Sequence, residues 1–205
     1  EPDWVIGTSI GAINGAIIAG NKPADRLPRL RELWRRFQRA PQFQAWQYFS
    51  TLVGGIPGFF SPRLPAWGGV QSKVGLDAAS YYDTTPLRET LSSLIDLAVL
   101  NAAHPRLTVG AVNVKSGELR YFDSRDGALG LDEVMASGAL PPGFPAIRVD
   151  GQAYWDGGLY SNTPLEAVLD DNPRRDSLIF GVNVWQPTGH EPDSLWQVMG
   201  RQKDI

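Results

Sequence analysis

The sequence contains no cysteine and has only two histidines, His104 and His190. The absence of cysteine excludes a disulfide framework, a thiolate nucleophile and a cysteine-ligated metal, and two histidines are too few for a histidine-rich metal site. The 19 basic and 22 acidic residues leave a net charge of -3 without a long run of either sign, which argues against nucleic-acid binding. The longest apolar stretch, residues 13–19, is far shorter than the roughly 18 to 20 residues of a membrane span. We expect a soluble, cytoplasmic protein without a metal or a cofactor.

Length and composition predict one folded domain over residues 1–205. Hydrophobic residues make up 42% of the chain, which is enough for one sizeable core, and 205 residues are too few for two domains of ordinary size. The 22 glycines and 16 prolines cluster between apolar runs, as in the loops of a layered α/β fold. An apolar strand begins almost at the first residue, and the last residues look like an uncapped amphipathic helix. We therefore expect both ends to be truncated, so a leader or an anchor cannot be judged from these residues.

Hydrophobic periodicity and turn residues predict alternating strands and helices. Residues 4–6 predict a buried strand, and an Ala/Ile-rich run over residues 12–19 predicts a helix after a tight turn. The further predicted helices are residues 26–40, 85–101, 131–137 and 163–169, and the further predicted strands are residues 107–114, 119–122, 152–155 and 178–185. The strands at 107–114 and 119–122 are predicted to form a hairpin. Residues 43–67 combine aromatic side chains with glycine and proline, which predicts a loop or a cap.

The segment Gly7-Thr8-Ser9-Ile10-Gly11 matches the pattern G-x-S-x-G at a predicted strand-to-helix junction. In a nucleophile elbow the turn is so tight that a side chain at Gly7 or Gly11 would collide with neighbouring backbone, while the serine hydroxyl is exposed. The following helix directs its N-terminus at the reacting carbon, and the Ile10 amide is positioned to donate to a developing oxyanion. We predict that Ser9 is a nucleophile. The alternative interpretation is a glycine-rich turn that starts a helix.

A serine nucleophile needs a neighbouring base, which near neutral pH is a histidine or a carboxylate. Asp156 ends a predicted strand and precedes Gly157 and Gly158, two glycines that would let another backbone segment approach closely. Shielding by the aromatic residues at 154 and 155 would raise the basicity of this carboxylate. His190 keeps the Ser-acid-His order of α/β hydrolases, so a triad stays open, although the segment around it is typical of an exposed loop. Asp-Gly-Gly is also typical of an ordinary turn.

These segments together resemble the patatin-like phospholipase family, whose signature pairs a G-x-S-x-G elbow with a later D-G-G segment. The similarity extends to GAING at residues 11–15, ASGALP at residues 136–141 and the stretch from DGG to NTP at residues 156–164, and it covers most of the chain. The last five residues look like the start of a C-terminal extension found in a bacterial subgroup. The resemblance implies a three-layer α/β sandwich with a mainly parallel central sheet flanked by helices. It also implies a Ser9-Asp156 dyad without histidine, hydrolysis of fatty-acyl esters and no metal.

One departure from that family concerns the oxyanion hole. Family members carry a glycine-rich loop with a basic residue ahead of the elbow, but this chain starts too late to contain it, and the glycine-rich residues 54–58 follow Ser9 instead. Losing one oxyanion donor costs about 100-fold to 1000-fold in turnover, so we expect the chain alone to have little activity. The aromatic residues 43–67 are candidates for an acyl-pocket cap, for peripheral membrane contact or for ordinary packing. The rival functions are a His190-dependent esterase and a non-catalytic lipid-binding or scaffold domain.

Overall fold

The computed structural model describes residues 1–38, 55–63, 71, 73–182, 188–194, 197–198 and 201. The chain divides into two compact units, Glu1–Asp171 and Asn172–Ile205. The first unit contains the main sheet and the predicted catalytic residues, apart from the alternative base His190. The assignment of residues 1–205 to a single domain stays a prediction.

Strands and helices are interspersed along the first unit. In chain order they are β1 (Trp4–Thr8), α1 (Ile10–Ala19), α2 (Pro23–Phe37), β2 (Ser61–Pro62), a 3₁₀ turn (Leu76–Ala78), β3 (Tyr82–Asp83), α3 (Thr85–Leu94), α4 (Leu97–Leu100), β4 (Arg106–Asn113), β5 (Leu119–Asp123), α5 (Leu131–Ser137), β6 (Ile147–Val149), β7 (Gln152–Asp156), a second 3₁₀ turn (Gly157–Leu159) and α6 (Glu166–Leu169). Strands β2 and β3 form a separate antiparallel pair. Within the described residues, no helix is both long enough and apolar enough to cross a bilayer.

Strand β4 is the centre of the main sheet. β1 pairs with it in parallel and ends with Thr8 opposite Gly110. β5 pairs with residues 108–112 in the antiparallel sense, and β7 also runs antiparallel, with Asp156 opposite Ala111. Because β5 occupies one edge of β4 over these residues, β1 and β7 both lie along the other edge. They run toward each other along that edge, so their ends meet at neighbouring residues of β4.

Both faces of β4 are covered. Its residues from Leu107 to Val112 are all buried, although successive side chains of a strand point to opposite faces. α1 packs against β1 and β4, and α5 packs against β4, β6, β7 and α1. The approach of α1 depends on Gly15, where a Cβ would lie 3.0 Å from Leu107 Cδ1 and 3.1 Å from Val5 Cγ1. The sheet is therefore the middle of the core, with helices around it.

The α/β fold predicted from the sequence is confirmed. β4 and β5 form the expected hairpin, and α5 covers the helix predicted at residues 131–137. The predicted mainly parallel sheet is mixed in the described part of the chain, where β1–β4 is the one parallel pairing and β4–β5, β4–β7 and β6–β7 are antiparallel. The β4–β5 and β6–β7 pairings are antiparallel because the two strands of each pair form a hairpin, which needs only a short turn.

The helix predicted over residues 85–101 is interrupted, which corrects that prediction. α3 ends at Leu94, and α4 begins after Asp96. The Asp96 Oδ1 accepts hydrogen bonds from the backbone N–H groups of Ala98 at 2.9 Å and Val99 at 3.2 Å. Since an aspartate at an N-cap satisfies the first free N–H groups of a helix, Asp96 favours a new helix start over continuation.

Other element boundaries also differ from the predictions. The helix predicted over residues 163–169 begins only at Glu166, and the helix predicted from residue 26 begins at Pro23, a residue suited to the first turn. Strand β6 was not predicted because it is only three residues long. It pairs with β7 across Asp150 and Gly151, which both have positive φ, as a tight hairpin requires.

The apolar run at residues 178–182 of the second unit is not a strand. These residues have no regular secondary structure, and Leu178, Phe180 and Val182 are 84%, 82% and 87% exposed. The strand predicted over residues 178–185 is therefore wrong for residues 178–182, and residues 183–185 lie outside the described residues. An apolar run shows strand propensity, but a strand also needs a neighbouring strand for its backbone hydrogen bonds, and the run itself does not encode one.

Candidate active site

Ser9 occupies the tight turn between β1 and α1. Its backbone has φ 58° and ψ -125°, a conformation that costs a non-glycine residue on the order of 1–3 kcal/mol. Space is also short at Gly7, where a Cβ would lie 2.3 Å from the Gly11 carbonyl and 2.5 Å from Ala12 N. Only glycine fits there. The Ser9 N–H donates to the carbonyl oxygen and to Oγ of Ser137, each at 3.1 Å, which helps to hold the turn.

Gly11 does not behave as the elbow argument predicts. Apart from its chain neighbours and the nearby backbone of α1 itself, a Cβ at this position would meet no described atom within 4 Å, so contacts with other described elements do not require a glycine here. Gly11 lies in the first turn of α1, where its backbone is already helical. The steric argument therefore holds for the first glycine of the motif and is wrong for the second.

Asp156 is the last residue of β7 and is only 2% exposed. Its Oδ1 accepts a hydrogen bond from the Gly158 N–H at 2.7 Å. A Cβ at Gly157 would lie 2.3 Å from the Gly110 oxygen and 2.9 Å from Thr8 Cγ2. The absence of a side chain at Gly157 therefore lets the segment after Asp156 lie directly on β4, beside the end of β1.

The structure brings Ser9 and Asp156 together. Ser9 Oγ donates a hydrogen bond of 2.6 Å to Asp156 Oδ2, although 147 positions separate them in the chain. This contact follows from the register of the sheet, because β1 and β7 end at the adjacent β4 residues Gly110 and Ala111.

The environment of Asp156 affects its basicity. Burial raises the pKa of the Asp156 carboxyl above its ordinary value, and the hydrogen bonds from Ser9 and from the Gly158 N–H oppose this rise. The alternation of side chains along β7 puts Tyr154 on the same face as Asp156 and Trp155 on the opposite face. Of the two aromatic neighbours considered from the sequence, only Tyr154 therefore shares the buried face of the carboxylate.

The Ile10 N–H has no hydrogen-bond acceptor among the described residues. Ile10 is the first residue of α1, and the first N–H groups of a helix have no partner within the helix. The helix dipole adds partial positive charge at the same end. An unpaired N–H directly after Ser9 is therefore suited to stabilise negative charge on a carbonyl oxygen under attack.

A family model for patatin-like phospholipases matches residues 1–169 of the chain. The chain belongs to this family. Membership of the patatin-like phospholipases supports a lipid acyl hydrolase activity. Among solved structures, the chain is similar to the crystal structure of VipD from Legionella pneumophila, with 16% identity and a TM-score of 0.36, covering 78% of this chain and 40% of that chain. The chain matches no curated protein.

His104, the histidine in the first unit of this patatin-like chain, does not hydrogen-bond to Ser9. His104 is exposed in the loop between α4 and β4, and His190 is exposed in the irregular segment 188–194 of the second unit. The Ser9 hydroxyl donates instead to Asp156.

Two buried hydroxyl groups beside the patatin-like elbow were not predicted from the sequence. Ser137, the last residue of α5, is fully buried, and its Oγ contacts both Ser9 N–H and the Gly110 oxygen. Thr8 is 4% exposed, and its Oγ1 has no hydrogen-bond partner among the described residues. The one signal for Ser137 in the sequence is that it belongs to the ASGALP segment. This segment resembles the family, but the resemblance implies no function for its residues.

The aromatic cap proposed for residues 43–67 is only partly described, because residues 43–54 and 64–67 lie outside the described residues. Phe59 and Phe60 are described and belong to an aromatic cluster. Phe59 lies 4.7 Å from Phe37 and 5.5 Å from Phe144, between ring centroids, and Phe60 lies 4.6 Å from Tyr82. These separations are typical of aromatic packing, so these two rings support the packing interpretation.

A cavity of about 340 Å³ lies elsewhere in the first unit, and none of the predicted site residues lines it. Its charged side chains form three ion pairs, Arg63–Asp83, Arg88–Asp132 and Arg148–Asp77. Because each arginine faces an aspartate, the cavity has no excess of either charge. The described residues contain no group of three or more histidine or acidic side chains arranged to hold a metal ion.

Proposed function

We propose that this protein is a serine acyl hydrolase that cleaves fatty-acyl esters, with Ser9 as the nucleophile and Asp156 as its base. The observation that carries the proposal is the 2.6 Å hydrogen bond from Ser9 Oγ to a buried carboxylate. A strained turn that presents a serine, next to a base of raised pKa and an unpaired amide, is the set of groups that acyl transfer needs. Family membership supports lipid esters as the substrate class.

In the proposed first step, Asp156 Oδ2 accepts the Ser9 proton as Ser9 Oγ attacks the ester carbonyl carbon. The Ile10 N–H donates to the oxyanion that forms on the former carbonyl oxygen. The tetrahedral intermediate then collapses, the bond to the alcohol breaks, and the departing alcohol takes the proton from Asp156. Ser9 is left as an acyl ester.

In the proposed second step, Asp156 removes a proton from a water molecule that attacks the acyl-enzyme, and the fatty acid leaves as the Ser9 hydroxyl is restored. Gly158 has a supporting role, because its N–H binds Asp156 Oδ1 and leaves Oδ2 to face Ser9. The raised pKa of Asp156 makes this carboxylate a stronger base than an ordinary aspartate.

Exposed apolar side chains near Asp156 support contact with a lipid surface. Leu140 follows Ala139, whose carbonyl oxygen accepts from the Asp156 N–H at 3.0 Å, and it is 48% exposed. Leu159 and Tyr160, which closely follow Asp156 in the chain, are 51% and 69% exposed. We propose that these side chains touch the lipid aggregate from which the substrate is drawn. Binding of the Ser9→Ala protein to neutral phospholipid vesicles tests this, and Leu159→Ser with Tyr160→Ser is expected to weaken it.

The experiment that tests the catalytic proposal is labelling of the full-length protein by a fluorophosphonate ester, with the modified residue located by mass spectrometry. We expect label on Ser9, none on Ser9→Ala, and a labelling rate at least about 100-fold lower in Asp156→Asn, since a lost general base typically costs 100-fold to 10000-fold. His190→Ala is expected to react like the wild type. A folded wild-type protein without label would favour a lipid-binding role. Loss of labelling in His190→Ala with retention in Asp156→Asn would favour the histidine-dependent esterase.

A further inference from the structure

The hydroxyl of Ser137 bridges two parts of the sheet. Ser137 is fully buried at the end of α5. Its Oγ accepts a hydrogen bond from the Ser9 N–H at 3.1 Å and donates one to the Gly110 oxygen at 2.6 Å. One side chain therefore contacts the backbone of the proposed nucleophile and the backbone of the central strand.

The bridge lies where the β1–β4 ladder is interrupted. The Arg106 N–H donates to the Asp3 oxygen at 2.9 Å, and this bond sets the phase of the parallel ladder. With that phase, the Ser9 N–H is the next donor in line for the Gly110 oxygen. The Ser9 N–H donates to Ser137 instead, and the Ser137 hydroxyl supplies the donor to Gly110. The hydroxyl is thus inserted into the ladder at the point where the chain turns into the elbow.

The same Gly110 oxygen lies against the segment that follows Asp156. A Cβ added at Gly157 would be only 2.3 Å from this oxygen, and Asp156 pairs with Ala111, the next residue of β4. The Ser137 hydroxyl therefore binds an oxygen that contacts the strand end bearing Asp156, while it also holds the amide of Ser9. The Ser137 hydroxyl is therefore connected to the backbone on the Ser9 side and on the Asp156 side of the Ser9–Asp156 hydrogen bond.

We propose that Ser137 is a positioning residue, which sets the distance between Ser9 and Asp156 by holding the elbow on β4. This inference rests on the proposed function of those two residues. Removal of the hydroxyl leaves the Ser9 N–H one acceptor, the Ser137 carbonyl oxygen at 3.1 Å, so the elbow keeps a hydrogen bond. The Ser137→Ala protein is therefore expected to fold, with an elbow that is free to shift on the sheet.

The test measures two quantities in the fluorophosphonate reaction: the rate constant for labelling and the final fraction of molecules labelled. Misplacement of a reacting group by about 1 Å can cost about 100-fold in rate. For Ser137→Ala we expect a rate constant about 10-fold to 100-fold lower and a labelled fraction equal to that of the wild type. A merely structural role would act differently. Molecules that are unfolded and do not refold lower the labelled fraction, and molecules that unfold reversibly lower the rate constant only in proportion to the loss of folded protein, which circular dichroism measures.

Ser124→Ala is the matched control. Ser124 is also a buried serine, and its Oγ accepts from a β4 amide, the Leu107 N–H, at 2.9 Å. Leu107 lies near the start of β4, three residues before Gly110. Both substitutions therefore remove a hydrogen bond between a buried serine hydroxyl and the backbone of β4, donated by Ser137 and accepted by Ser124, and only Ser137 lies at the elbow. We expect the labelling rate constant of Ser124→Ala to stay within about 2-fold of the wild type.

The outcomes separate this inference from the proposed function. If the folded wild type is not labelled at Ser9, the proposed function is overturned and the inference falls with it. If the wild type is labelled and Ser137→Ala reacts at the same rate constant, the inference alone is overturned. Equal losses of rate constant in Ser137→Ala and Ser124→Ala would also overturn it, because the effect would then be independent of the elbow.

Discussion

Alanine substitutions at the two glycines of the G-x-S-x-G segment are expected to have opposite effects on stability. At Gly7, the new Cβ would lie 2.3 Å from the carbonyl carbon and oxygen of Gly11, where ordinary contact begins near 3.4 Å. The start of α1 would have to move by about 1 Å or more, against the core residues that it packs on. Both atoms belong to the backbone, so no side-chain rotation relieves the clash.

The magnitudes follow from these surroundings. Overpacking in a core typically costs 1–3 kcal/mol, and for a backbone clash of this size we expect a cost of about 3 kcal/mol or more in the free energy of unfolding for Gly7→Ala. Gly11→Ala meets no described atom within 4 Å and replaces a poor helix former, so we expect a gain of up to about 1 kcal/mol.

Urea unfolding followed by circular dichroism measures both variants against the wild type. The midpoints should move in opposite directions with similar slopes, since the surface exposed on unfolding is nearly the same. Equal stability of Gly7→Ala and Gly11→Ala would refute the reasoning, because it would mean that the tight approach of Gly7 to α1 does not limit the turn.

Two further predictions concern buried groups beside Ser9. The raised pKa of Asp156 means that folding favours its neutral form, so the stability it contributes is present below the pKa of the unfolded chain, about 4, and is lost as pH rises through the folded pKa. Asp156→Asn should therefore unfold at higher urea than the wild type at pH 7, with the difference shrinking toward pH 4, and a difference that grows on acidification would contradict the cause given. Thr8→Val replaces an unpaired buried hydroxyl by a methyl of similar shape, and unfolding should show a gain of about 1 kcal/mol, whereas a loss above 1 kcal/mol would reveal a hydrogen bond to Oγ1.

Local constraints explain which features could be predicted from the sequence. The elbow was recognisable because a strand, a tight turn and a helix follow one another within residues 4–19. Asp156 was recognisable because the chemistry of a serine nucleophile needs a base, and a strand end followed by two glycines offered one. The break at Asp96 could also have been predicted, since aspartate is among the best N-cap residues.

Long-range contacts explain what could not be predicted. The Ser137 bridge joins residues 128 positions apart, and no pattern near Ser137 shows that α5 ends beside the elbow. The irregular conformation at residues 178–182 likewise depends on whether a partner strand is present, which an apolar run does not encode. The open space at Gly11 depends on the packing around α1, which the motif does not encode. The collision predicted at Gly11 from the motif was therefore wrong.

Because β1 and β7 meet on one edge of β4, the contact between Ser9 and Asp156 exists only while both strands are paired with β4. A partly open molecule whose β6–β7 hairpin has detached would keep its serine in the elbow but would have lost the carboxylate that the proposed mechanism needs as the base. Such an opening needs less free energy than global unfolding, because β1, β4 and α1 can stay packed together. Inactivation by heat or denaturant should therefore precede the loss of most secondary structure, and reactivation should report the redocking of one hairpin.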